Sequence, residues 1–319
     1  MREGQFIQQN KARWDSYQQP AQDPDELARR FTSLVDDLGY AKTFYPNSNT
    51  VKYLNSLGAN LYLSIYSNKK EKSSRIITFW TEELPLILYR HRRRLLFSFI
   101  FFTAFVALGI FSAWQDQSFA RGILGDQYVD MTEQNIAAGD PFGVYKDSDP
   151  LAMFVFIAYN NIKVAFYCFI MGILASVGTL YFLLTNGVML GVFEHLFFAH
   201  GLSLGFHSIL VVFVHGTLEI SAIVIAGGAG LVLGHSLLFP QTQTRAASLK
   251  QGAKDGVKIM VGLIPIFIVA AFFESYVTRH TGMPVWLSIL ILGGSLAFIL
   301  FYFAYYPRKV FRKKTRLDA

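Results

Sequence analysis

The sequence predicts an all-α, polytopic helical membrane protein with about six membrane segments and a cytoplasmic helical domain at its N-terminus. Three observations lead there. Of the 319 residues, 52% are hydrophobic and 16% aromatic, and the mean hydropathy is positive at +0.33. Several unbroken apolar runs reach the roughly 20 residues needed to cross about 30 Å of hydrocarbon. Basic residues gather beside those runs: Arg90, Arg92, Arg93 and Arg94 precede the first, and Arg308, Lys309, Arg312, Lys313, Lys314 and Arg316 follow the last. The net charge of +7 therefore reads as topology and contact with anionic headgroups, not as nucleic-acid binding.

Residues 1–90 are polar and periodic, without the short basic segment, apolar core and small-residue cleavage site of a signal peptide, so none is expected. Phe6, Ile7, Asn10, Trp14 and Tyr17 fall at helical spacing. Asp23-Pro24 offers an N-cap followed by proline at the first helical position, and Leu27, Phe31, Leu34, Val35 and Leu38 form the apolar face behind it. After the break at Tyr45-Pro46-Asn47-Ser48, a third stripe runs through Val51, Leu54, Leu57, Leu61 and Ile65. Residues 74–89 mix Trp80 and aliphatic residues with Glu82 and Glu83, the composition of an interfacial helix that Pro85 can kink. The domain boundaries that follow are 1–90, 91–306 for the membrane part, and a basic cytoplasmic tail at 307–319.

The first span is expected at 95–114. Residues 115–150 form an acidic loop with a net charge of −5, which the positive-inside rule places outside the cytoplasm. From 154 to 239 the chain is almost continuously apolar, and Asn186-Gly187 and Gly201 to Gly205 supply the punctuation. Spans are expected at 158–184 and 207–237. The segment between them, 187–205, either crosses, re-enters or lies in the interface. Charge counting favours a crossing, because the loop at 239–258 and the basic tail then both fall in the cytoplasm. Spans at 258–274 and 285–306 complete a six-crossing arrangement with both termini inside.

The candidate chemistry sits in the stretch FVHGTLEISAIVIAGGAGLVLG, residues 213–234. Taking about 100° per residue from His215, Glu219 lies near ~40°, Ala222 near ~−20°, Ala226 near ~20°, Gly230 near ~60° and Gly234 near ~100°. Two ionisable groups and a ladder of small residues thus share one face, which suits contact with another helix better than contact with lipid. Such a face is either an ion, proton or substrate site or a polar clasp between helices. Asn186, Glu194 and His195 are candidates to join it; Asn186-Gly187 with Gly191 is a candidate broken helix of the transporter kind.

Asn160, Asn161 and Lys163 read as the start of the second span, and Glu274, Arg279 and His280 as charges at the end of the fifth. His200 and His207 read as interfacial or core histidines. HGTLE lacks the second histidine and the adjacent glutamate of HExxH, so the spacing demands no metal, and no cofactor is expected. No P-loop or GxSxG motif occurs. Cys168, alone in an apolar segment, excludes an intrachain disulfide and reads as a core residue.

A set of segments resembles the stage II sporulation protein M family of bacterial multipass membrane proteins. They are FIQQNKARW (6–14), GDQYVDMTEQNIAAGDPFGVYK (125–146), NNIKVAF (160–166), NGVMLGVF (186–193), HGTLEISAIVIAGGAGLVLG (215–234), GAKDGVKI (252–259) and VTRHTGMP (277–284). The resemblance implies a bacterial inner-membrane protein without established catalytic residues, acting as an organiser in an envelope complex with peptidoglycan-remodelling or engulfment partners. It also implies a MoxR-type AAA ATPase or an RDD-family membrane protein as partner. The expectation is a non-enzymatic organiser embedded in the lipid bilayer. A transporter or channel using His215 and Glu219 is the alternative, and an intramembrane metallo-hydrolase a third reading. The glycine-rich face is compatible with a homo-oligomer.

Overall fold

The structure, a computed structural model, describes residues 1–19, 21, 23–66, 74–143, 149–278 and 283–317. Lys146, Asp147, Arg279 and His280 lie outside the described residues. The chain divides into two compact units, Met1–Arg75 and Ile76–Ala319, and every regular element among the described residues is helical.

The first unit holds α1 (Glu3–Ser16), α2 (Pro24–Phe44) and α3 (Asn49–Tyr66). Asp23 caps α2 by accepting the Glu26 amide at 2.7 Å, with Pro24 opening the helix where no N–H is needed. Phe6, Trp14, Leu34, Ala41, Leu54, Leu57 and Leu61 form the core. Trp14 buries its ring there and donates Nε1–H to Asp37 at 2.8 Å, which satisfies the one polar atom of a large apolar residue. Val35 and Ile65, expected on the apolar stripes, are exposed. They sit at the edge of arcs whose centres, Leu34 and Leu61, are already filled.

In the second unit six helices are long and apolar enough to cross a membrane. They are α6 (Arg92–Gln115), α9 (Pro150–Ile170), α10 (Val177–Ala199), α11 (Leu202–Leu238), α12 (Arg245–Phe272) and α13 (Val285–Ile299), the last continued by a π turn into α14 (Tyr306–Leu317). The protein is an all-α multipass membrane protein.

Several boundaries differ from the sequence reading: α12 begins at Arg245, within the loop expected at 239–258, and two further differences bear on the site. Asn186-Gly187 lies inside α10, and the chain turns earlier, at Leu174–Ser176, where Ala175 and Ser176 take positive φ of 52° and 70°. Asn186 does not break the helix because its amide donates to the Phe182 carbonyl one turn back, at 2.8 Å. Gly187 and Gly191 instead form a seam with α6. A Cβ on Gly191 would stand 2.2 Å from the Val106 carbonyl oxygen, and one on Gly109 would stand 2.5 Å from that of Val188. The second difference is the start of α9, which Asp149 caps through the Ala152 amide at 2.9 Å. Asn160, Asn161 and Lys163 therefore lie well within the span and do not open it.

The acidic stretch after α6 folds into α7 (Gln117–Leu124) and α8 (Asp126–Ala137). Asp116 caps α7 through Ser118, whose amide and hydroxyl hold the Asp116 carboxyl below the usual range. Arg121 gathers Asp130 at 2.7 Å, Asp126 at 3.4 Å and Glu133 at 3.7 Å, offsetting one of their three negative charges. Phe142 stacks on Phe197 of α10, with ring centres 5.2 Å apart, and anchors this layer to the membrane helices.

The stretch expected as an interfacial helix consists of α4 (Ser74–Thr78), a π turn at Phe79–Glu83, and α5 (Leu84–Arg90) with Pro85 in its first turn. From Phe79 onward it is packed against the main core, while Ile76 and Ile77 are exposed. Leu84, Ile87 and Leu88 are buried, and Leu84 fills the space left by Gly262 of α12. The π turn leaves the carbonyls of Trp80 and Thr81 available, and they accept the hydroxyls of Tyr302 at 2.8 Å and Tyr306 at 3.0 Å. Asp255 of α12, 3% exposed, accepts from His91 Nε2 at 2.9 Å, Arg90 at 3.2 Å and Gln251 at 2.9 Å; Lys258 pairs with Glu83. These polar contacts hold the N-terminal half of α12 to the chain that enters α6.

Neighbouring backbones approach α11 closely at its glycines. A Cβ on Gly230 would stand 2.3 Å from Thr179 Oγ1 and 2.6 Å from the Cys168 carbonyl oxygen, whereas one on Gly293 would meet nothing within 4 Å. Gly230→Val should destabilise the membrane unit by about 2–3 kcal/mol or more, the upper part of the range for overpacking. Gly293→Ala should leave stability within about 0.5 kcal/mol of the parent. Thermal unfolding of both variants in detergent checks the contrast, and equal midpoints would contradict the packing described.

Candidate functional site

The centre of the membrane unit is α11, whose residues from Ala222 to Gly234 are all buried. Ala222 and Ala226 are fully covered, and a Cβ on Gly234 would stand 2.1 Å from Ser176 Oγ. The small residues on this arc therefore bring the end of α9 and the start of α10 against the α11 backbone. In lipid, apolar side chains gain little by meeting one another, so close van der Waals contact of this kind is what holds helices together.

One turn apart on the same helix stand His215 and Glu219. Facing them is the end of α12, which widens into a π turn at Phe273–Thr278. That turn delivers Glu274 and Thr278 to α11. His215 Nδ1 lies 3.0 Å from Thr278 Oγ1, and His215 Nε2 lies 3.9 Å from Glu274 Oε2. One donor atom from each of His215, Glu219 and Glu274 lies within 4.8 Å of the others. Single π turns inside α-helices recur at functional sites because they re-aim side chains that a regular helix would space differently.

Asn161 of α9 completes the surroundings. It is 6% exposed and turned towards the Glu219 carboxylate, yet its amide nitrogen finds no acceptor within hydrogen-bond reach. His215 and Thr278 are almost wholly buried, while Glu219 and Glu274 retain partial exposure. Two carboxylates and an imidazole converging between apolar helices carry up to two negative charges that the low-dielectric surroundings do not solvate. The arrangement is suited to holding a cation, or a proton shared between carboxylates.

The other candidates are held elsewhere. Glu194 of α10 is buried and accepts from Ser208 Oγ at 3.2 Å through one oxygen, while its other oxygen has no hydrogen-bond partner. Asn186 bonds within its own helix. His195 is half-buried on α10 and is not part of the three-residue cluster. His200 meets the Leu196 carbonyl at 2.9 Å, and His207 lies against the Phe142 ring at 5.4 Å. Glu274, expected as an interface charge, belongs to the buried centre. Thr278 and the Asp255–His91 contact were not singled out in the sequence; Thr278 does follow Glu274 by one turn, the spacing that puts His215 and Glu219 on one face.

A model described as Stage II sporulation protein M matches residues 98–279, which run from α6 through the π turn bearing Glu274 and Thr278. A second, described as Domain of unknown function (DUF8413), matches residues 4–67, the three-helix unit. No curated protein and no solved structure matches the chain. The first match covers more than half of the sequence and contains every residue of the intramembrane centre, and on that ground the chain belongs to the stage II sporulation protein M family.

Proposed function

We propose that the protein is a non-enzymatic organiser of an envelope-associated complex in the bacterial inner membrane, with both termini cytoplasmic. The observation that carries this reading is Lys163. It lies near the middle of α9 and is exposed on the helix surface, with its ammonium over the rings of Tyr159 at 5.8 Å and Tyr167 at 6.0 Å. Charged side chains within a membrane span are costly against lipid and ordinarily face protein or a wet cavity. An outward lysine at this depth, between two exposed tyrosines, marks a surface that a partner helix or a second protomer covers. The aromatic rings supply a cation–π contact that an approaching acidic or polar group would complement.

The folded layers outside the spans support the same reading. The three-helix unit has its own core and exposes Phe44, Tyr62 and Leu63, which suits docking of a cytoplasmic partner such as an AAA ATPase. Helices α7 and α8 present a folded acidic surface to partners on the other side of the membrane. Replacing Lys163 with Gln should lower recovery of membrane partners or crosslinked protomers at least ~5-fold, with insertion and the level of protein in the membrane unchanged. Deleting residues 1–70 should abolish recovery of cytoplasmic partners only. Crosslinking in native membranes followed by affinity purification checks both, and unchanged recovery in the two variants would refute the assembly role.

The intramembrane centre specifically favours a second reading, ion transport. Full-length protein in liposomes should then show pH-dependent cation flux that Glu219→Gln reduces at least ~10-fold. Flux indistinguishable between the two proteins, or from empty liposomes, would dismiss it.

A further inference from the structure

We propose that His215, Glu219 and Glu274 bind one divalent transition-metal ion of the zinc class within the membrane unit. This goes beyond the assembly role and does not depend on it. The donor set is one imidazole and two carboxylates, a three-ligand combination that leaves a position open for water or another ligand. Its charge is the first argument. Two ionised carboxylates between apolar helices are expensive to desolvate, and a divalent cation cancels their charge where a monovalent one would leave a net negative site.

Geometry is the second argument. The three donor atoms lie within 4.8 Å of one another, and the His215–Glu274 pair is separated by 3.9 Å. Metal–ligand bonds of about 2.0–2.2 Å place neighbouring tetrahedral ligands about 3.4 Å apart. Closing the remaining distance takes small rotations of two glutamate side chains.

The orientation of His215 is the third. Its Nδ1 faces Thr278 Oγ1 at 3.0 Å, and with Nδ1–H donating to that hydroxyl the lone pair lies on Nε2, the nitrogen turned towards Glu274. Metal-bound histidines are commonly fixed in this manner, one nitrogen on the ion and the other on an outer hydrogen-bond acceptor. The fourth argument is Asn161. Its buried amide nitrogen, turned towards Glu219 without an acceptor, is placed to donate to the Glu219 oxygen that does not bind the ion. An outer partner beside a ligating carboxylate is the arrangement that orients the ligands of a metal site.

A cavity of about 20 Å³, lined by His207, Thr278, Met283 and Ser288 among others, lies on the Thr278 side. That volume accommodates a water molecule. The donor set also separates candidate ions. Imidazole favours Zn²⁺ and similar ions, whereas Mg²⁺ and Ca²⁺ prefer all-oxygen shells.

The test is metal analysis of the full-length protein purified in detergent, stripped with chelator, reloaded with Zn²⁺ alone and washed. The expected result is close to one equivalent of Zn²⁺ per chain, retained in Glu194→Gln and in Cys168→Ser. His215→Gln, Glu219→Gln and Glu274→Gln should each weaken Zn²⁺ binding more than ~100-fold, beyond the 10–100-fold that outer-shell changes cost, and Asn161→Ala should fall within that smaller range. Each variant is compared by its gel-filtration profile and helicity. Because a ligand variant can misfold, the parent protein is also loaded with Co²⁺, whose visible spectrum reports a low-symmetry nitrogen and oxygen site. Absence of bound Zn²⁺ in the parent, equal binding in folded ligand variants, tighter binding of Mg²⁺ than Zn²⁺, or a thiolate-type Co²⁺ spectrum would each overturn the proposal.

Discussion

The structure depends on how closely the α11 backbone is approached by its neighbours. Gly172 and Gly230 bring two backbones so near that a Cβ on Gly172 would lie 2.1 Å from the Gly230 carbonyl oxygen. Gly227 and Gly228 admit Leu183, Ser98 and Leu95 from α10 and α6. Contacts at this range recover dispersion energy that helices in lipid cannot obtain from apolar burial. They also exclude lipid from the polar arc, so His215 and Glu219 can sit on an otherwise apolar helix without facing hydrocarbon. Without the small residues, the two ionisable groups would be separated from the protein groups that surround them.

Close packing seals the arc but does not supply counter-charge, and the two ends of α12 meet that need differently. Near its N-terminal end, Asp255 is buried against His91, Arg90 and Gln251, a set in which donors outnumber the one carboxylate. At the other end Glu274 meets a second carboxylate and one imidazole, a set short of positive charge. In the first arrangement the carboxylate is matched by donors from its own chain and reads as a structural tie. In the second, two carboxylates face a single imidazole.

Local features made part of this legible in the sequence. The apolar runs, the flanking arginines and the Asp23-Pro24 start are short-range signals, and their counterparts in the structure are the helices and the cap at Asp23. His215, Glu219 and the small residues share one arc because a regular helix fixes their angles. Glu274 could not be assigned to that arc, since its place depends on how α12 docks and on the π turn at its end. The helix break was misplaced for a related reason. Asn186-Gly187 has turn composition, but its glycine serves α6 and its asparagine folds back on its own helix. The actual turn uses Ala175 and Ser176, residue types that rarely announce a left-handed backbone.

The position of Pro265 gives the two ends of α12 some independence. It lies inside the helix between Asp255 and Glu274, where a proline removes one backbone hydrogen bond and disturbs the preceding turn. Gly262, one turn before it, is filled by Leu84, so the N-terminal half is tied to the 79–94 segment by packing as well as by Asp255 and Lys258. Beyond Pro265 the helix passes a mostly apolar groove lined by Val269, Phe273, Leu290 and Phe298 and then reaches the π turn. The helix is thus tied by polar contacts near Asp255, carries a proline in its middle and widens into a π turn at Glu274. The polar contacts of that last turn run to α11, through Thr278 and Glu274 to His215, whereas those of the N-terminal half run to the 79–94 segment.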